Sequence, residues 1–100
     1  MSSAHWGTFT KDLKWNYSYQ AASWAMRQQG FAEWGNWDFP GVSGGVIGAK
    51  GDAVVQVTYA AENDYTKVAY VVTGVSDDSA LAESARNTVR SDIVRFHPID

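Results

Sequence analysis

Polar and apolar residues alternate most regularly in the middle of the chain, over residues 53–60, which read Ala-Val-Val-Gln-Val-Thr-Tyr-Ala. A period of two is typical of a strand with one buried face and one partly exposed face. Val55, Val57 and Tyr59 form the more apolar face, and the residues between them form the other. Turn residues bound the run on both sides, so the pattern predicts the middle strand of an antiparallel meander.

Two further strands are predicted beside this segment. Residues 46–49 are predicted to form a short first strand. Gly51 is suited to begin the two-residue turn that follows this strand, because glycine adopts a positive φ at little cost. Residues 61–65 are polar and predict a loop. Residues 66–75 alternate again and predict the third strand of the meander.

Helices are predicted on either side of the meander, over residues 16–29 and 77–94. Gly30 ends the first helix, and Ser76 or Asp78 caps the second. The second helix has the cleanest amphipathic stripe of the chain, at positions with helical spacing. That stripe consists of Ala82, Ala85, Val89, Ile93 and Phe96.

These elements predict one α+β domain over residues 1–100, in the order α-β-β-β-α. Its architecture is a two-layer sandwich, in which two helices cover one face of an antiparallel meander of three or more strands. In an alternative version, residues 6–10 and 94–97 add edge strands at the two ends of the chain. Residues 31–45 contain several glycines and a proline, so they are interpreted as a long ordered loop that leads into the sheet.

Composition and charge limit the classes of function. The chain has no cysteine, which excludes disulfides and zinc–thiolate sites. The formal net charge is −3, which disfavours nucleic acid and anionic membranes as partners. No apolar run approaches the roughly 20 residues of a membrane span, and residues 1–5 lack the features of a signal peptide. We therefore expect a cytoplasmic protein with no metal, no cofactor and no membrane or nucleic-acid partner.

The predicted element order over residues 16–96 resembles that of double-stranded-RNA-binding domains. In that family the start of the second helix carries lysines that contact phosphate. Here residues 76–79 read Ser-Asp-Asp-Ser, and their carboxylates would repel phosphate instead. RNA binding is therefore not expected, because phosphate neutralisation supplies most of its affinity.

One short motif suggests a hydrolase. Residues 41–45 read Gly-Val-Ser-Gly-Gly and match G-x-S-x-G. That motif requires a strand before the serine and a helix after it. Here Pro40 precedes the motif and a β-rich run follows it, so we interpret residues 41–45 as a turn that enters the sheet and assign no catalytic residue.

An aromatic cluster in the first half of the chain is the most unusual feature of the sequence. One interpretation is that its large rings cover a small hydrophobic core. The other is that two or three of them, with a neighbouring carboxylate and amide, line a groove or patch for a protein or small-molecule ligand. The candidate binding residues are Trp24, Trp34, Asn36, Trp37, Asp38 and Phe39.

The second face of the predicted sheet carries no charge at residues such as Gln56, Thr58 and Val71. Such a face needs a cover, which the N-terminal segment or a second subunit could supply, so a homodimer is expected. The favoured function is a non-catalytic binding module that uses this face and residues 31–39. The alternative is a small enzyme, with acid–base groups among His5, Asp38, Tyr59, Tyr65, Tyr70 and His97.

Overall fold

The computed structural model describes residues 2–98 of the chain. The elements in chain order are β1 (Ser3–Asp12), a 3-10 turn (Trp15–Tyr17), α1 (Ser18–Gln28), β2 (Ala32–Phe39), β3 (Ser43–Lys50), β4 (Ala53–Glu62), β5 (Lys67–Ser76) and α2 (Ser79–Arg95). The five strands form one sheet in the order β1-β5-β4-β3-β2, and every neighbouring pair is antiparallel. This arrangement confirms the predicted α+β class.

The predicted central strand lies in the middle of the sheet. Val57 of β4 is paired with Val46 of β3 on one side and with Val72 of β5 on the other. All three side chains are fully buried, as the alternating pattern requires. Gly51 begins the β3–β4 turn with a φ of 57°, which confirms the prediction made from its position.

The ends of the chain settle which edge strands exist. β1 pairs with β5 along its whole length, from Ser3 to Asp12, so the N-terminal edge strand of the alternative version is confirmed. The C-terminal edge strand is wrong, because Val94 and Arg95 continue α2 and Phe96 caps it. Few residues near the end of α2 are β-branched, and the apolar stripe of the helix continues at helical spacing to Phe96. The helix pattern therefore prevails over a short strand.

The predicted loop at residues 31–45 is also wrong, since most of it forms β2 and the start of β3. Its glycines do not interrupt the sheet: the β2–β3 register shifts between Glu33 and Gly35, which leaves Trp34 as a bulge. The turn at Pro40 and Gly41 then joins the two strands. Glycine and proline therefore mark a bulge and a turn here, rather than an irregular segment.

Both helices cover the same face of the sheet. Gly48 and Gly74 flank Val55 in the strand register, and each is approached by a different helix. The Met26 sulfur of α1 would lie 3.2 Å from a Cβ atom at Gly48. The Ala82 carbonyl of α2 lies so close to Gly74 that a Cβ atom would overlap it. The helices therefore pack directly on the backbone of the sheet.

The core lies between the helices and the sheet, and polar contacts fix the ends of the helices. Asp78 caps α2 as predicted, because its Oδ1 accepts hydrogen bonds from the backbone N–H of Ala80 at 2.9 Å and of Leu81 at 3.4 Å. The buried carboxylate of Asp92 accepts bonds of 2.6 Å from Gln29 Nε2, just after α1, and from Arg95 Nε. The Gln29 bond connects the two helices at one end of the layer, and the Arg95 bond lies within α2.

We expect the substitution Gly74→Ala to lower the free energy of unfolding by about 1–3 kcal/mol or more, because the new methyl group would force α2 away from the sheet. Gly35→Ala is the matched control, since nothing lies within 4 Å of a Cβ atom there. Its effect should stay within about 0.5 kcal/mol. Urea denaturation of both variants measures the difference, and equal stabilities would contradict the proposed helix–sheet contact.

Candidate functional site

Two adjacent glycines of β3 organise the surface around the aromatic segment. The Tyr59 ring of β4 lies over Gly44 on the helix side of the sheet, where a Cβ atom would come within 2.7 Å of it. The Trp37 indole of β2 lies over Gly45 on the opposite side, and a Cβ atom there would overlap the ring. The Gly-Gly pair therefore accepts one ring on each face, which explains Gly44 and Gly45 of the G-x-S-x-G match without a nucleophile.

A cleft opens beside the Tyr59 ring, between β2 and the start of α1. Its volume is about 300 Å³, which is at the lower end of the range for small-molecule sites. Aromatic rings form much of its wall, and amides, a hydroxyl and one carboxylate supply the polar groups. The lining residues are Trp15, Asn16, Ser18, Tyr19, Asn36, Trp37, Asp38 and Tyr59.

A hydrogen-bond network fixes one wall of the cleft. The Tyr19 hydroxyl donates to the Glu33 carboxylate, with both oxygens 2.9 Å away. The Asn36 side-chain amide donates to Glu33 Oε2 at 3.1 Å. Glu33 thereby connects α1 to β2 and holds a negative charge behind the lining side chains.

The pKa of the Tyr59 phenol is raised by its surroundings in the cleft. Burial is the main cause that raises its pKa to about 12, and the nearby carboxylates of Asp38 and Glu33 contribute to the same increase. A phenol with such a pKa is protonated at neutral pH, so Tyr59 is a poor general base. The same carboxylates make the cleft electronegative.

The opposite side of the sheet, which we call the outer face, is uncharged across five strands. Successive rows of paired residues contain only apolar or neutral polar side chains. From one edge to the other, three of these rows are Trp6, Thr73, Gln56, Ile47 and Gly35; Thr8, Val71, Thr58, Gly45 and Trp37; and Thr10, Ala69, Ala60, Ser43 and Phe39. The next row, at one end of the strands, brings Asp12, Lys67 and Glu62 together.

The outer face is not flat, because it has one projecting side chain and one groove. Trp6 is 66% exposed and projects from β1. A shallow groove of about 300 Å³ runs beside the Trp37 indole, and its floor includes the small side chains of Ala60 and Ala69 together with Val71. A large exposed ring and a groove of side-chain size therefore share this face.

The structure brings three of the six candidate binding residues together. Asn36, Asp38 and Trp37 line the cleft, although the Trp37 indole itself lies over Gly45 on the opposite side of the sheet. Trp34 and Phe39 are 66% and 64% exposed on β2 outside the cleft. Of the two interpretations of the aromatic cluster, β2 supports the surface one, because none of its rings is buried.

Trp24 lies elsewhere in the structure. Its ring packs against Phe96 with centroids 5.6 Å apart, and the Arg95 guanidinium lies 4.9 Å from the ring centre. This half-buried position supports the core interpretation for Trp24 alone.

Several cleft residues were not selected from the sequence. Trp15 and Tyr19 share helical spacing with Ala22 and Met26, a pattern typical of a buried stripe. Tyr19 is nevertheless 41% exposed and lines the cleft. The positions of Asn16 and Ser18 depend on how the start of α1 meets β2, far away in sequence. The one signal in the sequence is that Tyr17 and Trp24 form a second aromatic stripe on the same short helix, which cannot bury both stripes against one narrow surface.

Of the six acid–base candidates of the enzyme alternative, Asp38, Tyr59 and Tyr70 lie in one row of the sheet, and the other three lie elsewhere. His5 Nε2 is 2.9 Å from Ser79 Oγ at the start of α2. The Tyr70 hydroxyl donates to the Ser18 carbonyl at 2.9 Å, and burial raises the pKa of that phenol. Tyr65 and His97 are exposed, and only Asp38 and Tyr59 share the cleft.

Neither known proteins nor the arrangement of the side chains assigns a ligand or an activity to the chain. No family model and no curated protein matches the chain. Within residues 2–98, no group of three or more His, Asp or Glu side chains is arranged to hold a metal ion. In the same part of the chain, neither helix has the length and hydropathy needed to cross a membrane.

The raised pKa of Tyr59 predicts a loss of stability in alkaline solution. Above pH 10.0, the usual pKa of a tyrosine, the unfolded chain loses this proton while the folded protein keeps it until about pH 12. The free energy of unfolding should therefore fall across this interval, by up to about 2–3 kcal/mol from Tyr59. Tyr59→Phe should make the decline measured by urea denaturation shallower, and an unchanged slope would contradict the assignment.

Proposed function

We propose that this protein is a non-catalytic binding module whose outer face docks on a second copy of the chain. The observation that carries the proposal is the uncharged outer face, which none of the chain's own elements covers within residues 2–98. β1 extends the sheet at its edge, and both helices lie on the opposite side. A half-apolar sheet face of this size is typical of an interaction surface.

The absence of charge favours a second copy over a different partner. In a two-fold interface the same surface of both copies is in contact. A surface with charges of one sign would therefore face like charges on its partner and be repelled. The outer face offers no such repulsion, because its rows from Trp6 to Thr10 contain no charged side chain. It equally lacks the charges that would select an acidic or basic partner.

The area of the face is compatible with this role if all of it is used. Five strands at about 4.8 Å spacing, over the length of four rows, cover roughly 500 Å² in projection. A standard interface buries about 800 Å² of accessible surface per partner, and side-chain relief adds to the projected area. Two such faces would pack about 10 Å apart, with the helices on the outside.

The exposed Trp6 ring and the groove of the outer face are suited to a contact in which each copy inserts its ring into the groove of the other. In the proposed dimer, a two-fold axis in the plane between the sheets would bring Trp6 of each copy to the groove beside Trp37 of the other. Aromatic residues in such pockets often dominate the affinity of an interface. The cleft would remain open, because it lies on the helix side of β2.

The alternative function is a small enzyme, and one observation favours it. Asp38 and Tyr59 line the same cleft, as an acid–base pair would. The protonated state of Tyr59 at neutral pH allows it to donate a proton, but no nucleophile or second base among the candidates accompanies it there. The binding module therefore explains more of the molecule.

The dimer predicts that Gln56→Glu weakens self-association. Gln56 is exposed at the centre of the face, so the change adds a charge without disturbing the core. We expect the dimer dissociation constant to rise at least about tenfold, or 1.4 kcal/mol. Sedimentation velocity across a range of concentrations provides the measurement.

Gln28→Glu is the matched control, because it makes the same change at an exposed position of α1 and should leave the dimer intact. Denaturation curves would establish that both variants remain folded. The proposal fails if the unmodified protein is monomeric up to millimolar concentration, or if the two variants associate equally well.

A further inference from the structure

We infer that the cleft binds a small organic cation, with an ammonium group held between its aromatic rings and the Asp38 carboxylate. This inference does not rest on the dimer, because the cleft and the outer face lie on opposite sides of the sheet. It concerns the chemical class of ligand that this cavity selects.

The rings of the cleft are arranged as adjacent walls. Trp15 and Tyr59 have ring centroids 5.8 Å apart and planes inclined by 59°, so they meet at an angle rather than stack. Tyr19 contributes a third ring from α1. The electron-rich faces of such rings attract cations, and tryptophan and tyrosine do so most strongly.

The charge of the cleft has the sign that a cation requires. The Asp38 carboxylate lines the cavity, and no hydrogen bond or ion pair within residues 2–98 engages it. Glu33 adds a second negative charge behind the wall, held by Tyr19 and Asn36. The lining contains no lysine or arginine, although the field of Arg27 reaches the Tyr19 hydroxyl.

The remaining lining groups suit the rest of such a ligand. Asn16, Ser18 and Asn36 place amides and a hydroxyl around the cavity, where they can bond to a neutral polar part of the ligand. A volume of about 300 Å³ accommodates a small amine or the end of a cationic side chain. A sugar would also suit rings and amides, but it would leave the Asp38 charge without a counter-ion. This difference favours the cation.

Choline and its neutral isostere 3,3-dimethylbutan-1-ol are the probes that test the charge requirement. Both have the same shape, so titration followed by tryptophan fluorescence and calorimetry separates charge from fit. We expect choline to bind saturably and the isostere to bind at least about tenfold more weakly. Equal binding of the two, or saturable binding of methyl glucoside without binding of choline, would overturn the inference, as would no binding of any probe.

Variants of the cleft identify the groups responsible. Asp38→Asn keeps the shape of the side chain and should weaken choline binding about tenfold or more, whereas Asp52→Asn, in the exposed β3–β4 turn, should leave it unchanged. Tyr19→Leu should weaken binding, and Tyr19→Phe, which keeps the ring, should retain it within a few fold. Equal affinities of the Asp38 and Asp52 variants would overturn the inference. The dimer dissociation constant should not change in any of them.

Discussion

The surface features of this protein depend on the missing side chains of Gly44 and Gly45. Successive residues of a strand point to opposite faces of the sheet, so this pair removes a side chain from each face at the same level of β3. The Tyr59 ring occupies one vacated position and the Trp37 indole the other. The rings come from the two neighbouring strands, one on each side of β3, and they therefore fix the register of the edge strand against the centre of the sheet.

This constraint positions both candidate sites at once. On the helix side, Tyr59 continues a row of rings in which it stands next to Tyr70, with centroids 5.8 Å apart, and Tyr70 stacks on Phe9 at 5.3 Å. The row ends at Asp38 in the edge strand, where the aromatic surface meets a carboxylate. On the outer side, Trp37 forms one wall of the groove. A substitution at Gly44 or Gly45 would therefore displace a ring and alter the cleft or the outer face.

The sequence contained the information for local features and lacked it for pairing between distant segments. Residues 53–60, the cap at Asp78 and the stripe of α2 follow local periodicity and were predicted correctly. Residues 31–45 were interpreted as a loop because their glycines and proline are turn formers, and only the partner strand shows that they accommodate a bulge and two rings. Asn36, Trp37 and Asp38 were selected as candidates, but the Trp15 and Tyr19 walls depend on long-range packing.

The location of the helices explains why the outer face is the surface to consider for association. A sheet of five strands has two faces and two edges that could pair with another molecule. The helices occupy one face, and the β2 edge is interrupted by the bulge at Trp34, a common protection against edge-to-edge pairing. At the β1 edge, Lys11 directs its ammonium group to the Val94 carbonyl of α2 at 2.6 Å, which keeps a charge beside that strand.

The outer face has no comparable protection, because its charged side chains are confined to the single row at Asp12, Lys67 and Glu62. Burial of apolar area is therefore opposed least on this face, and association there would leave the cleft on the helix side of the sheet uncovered.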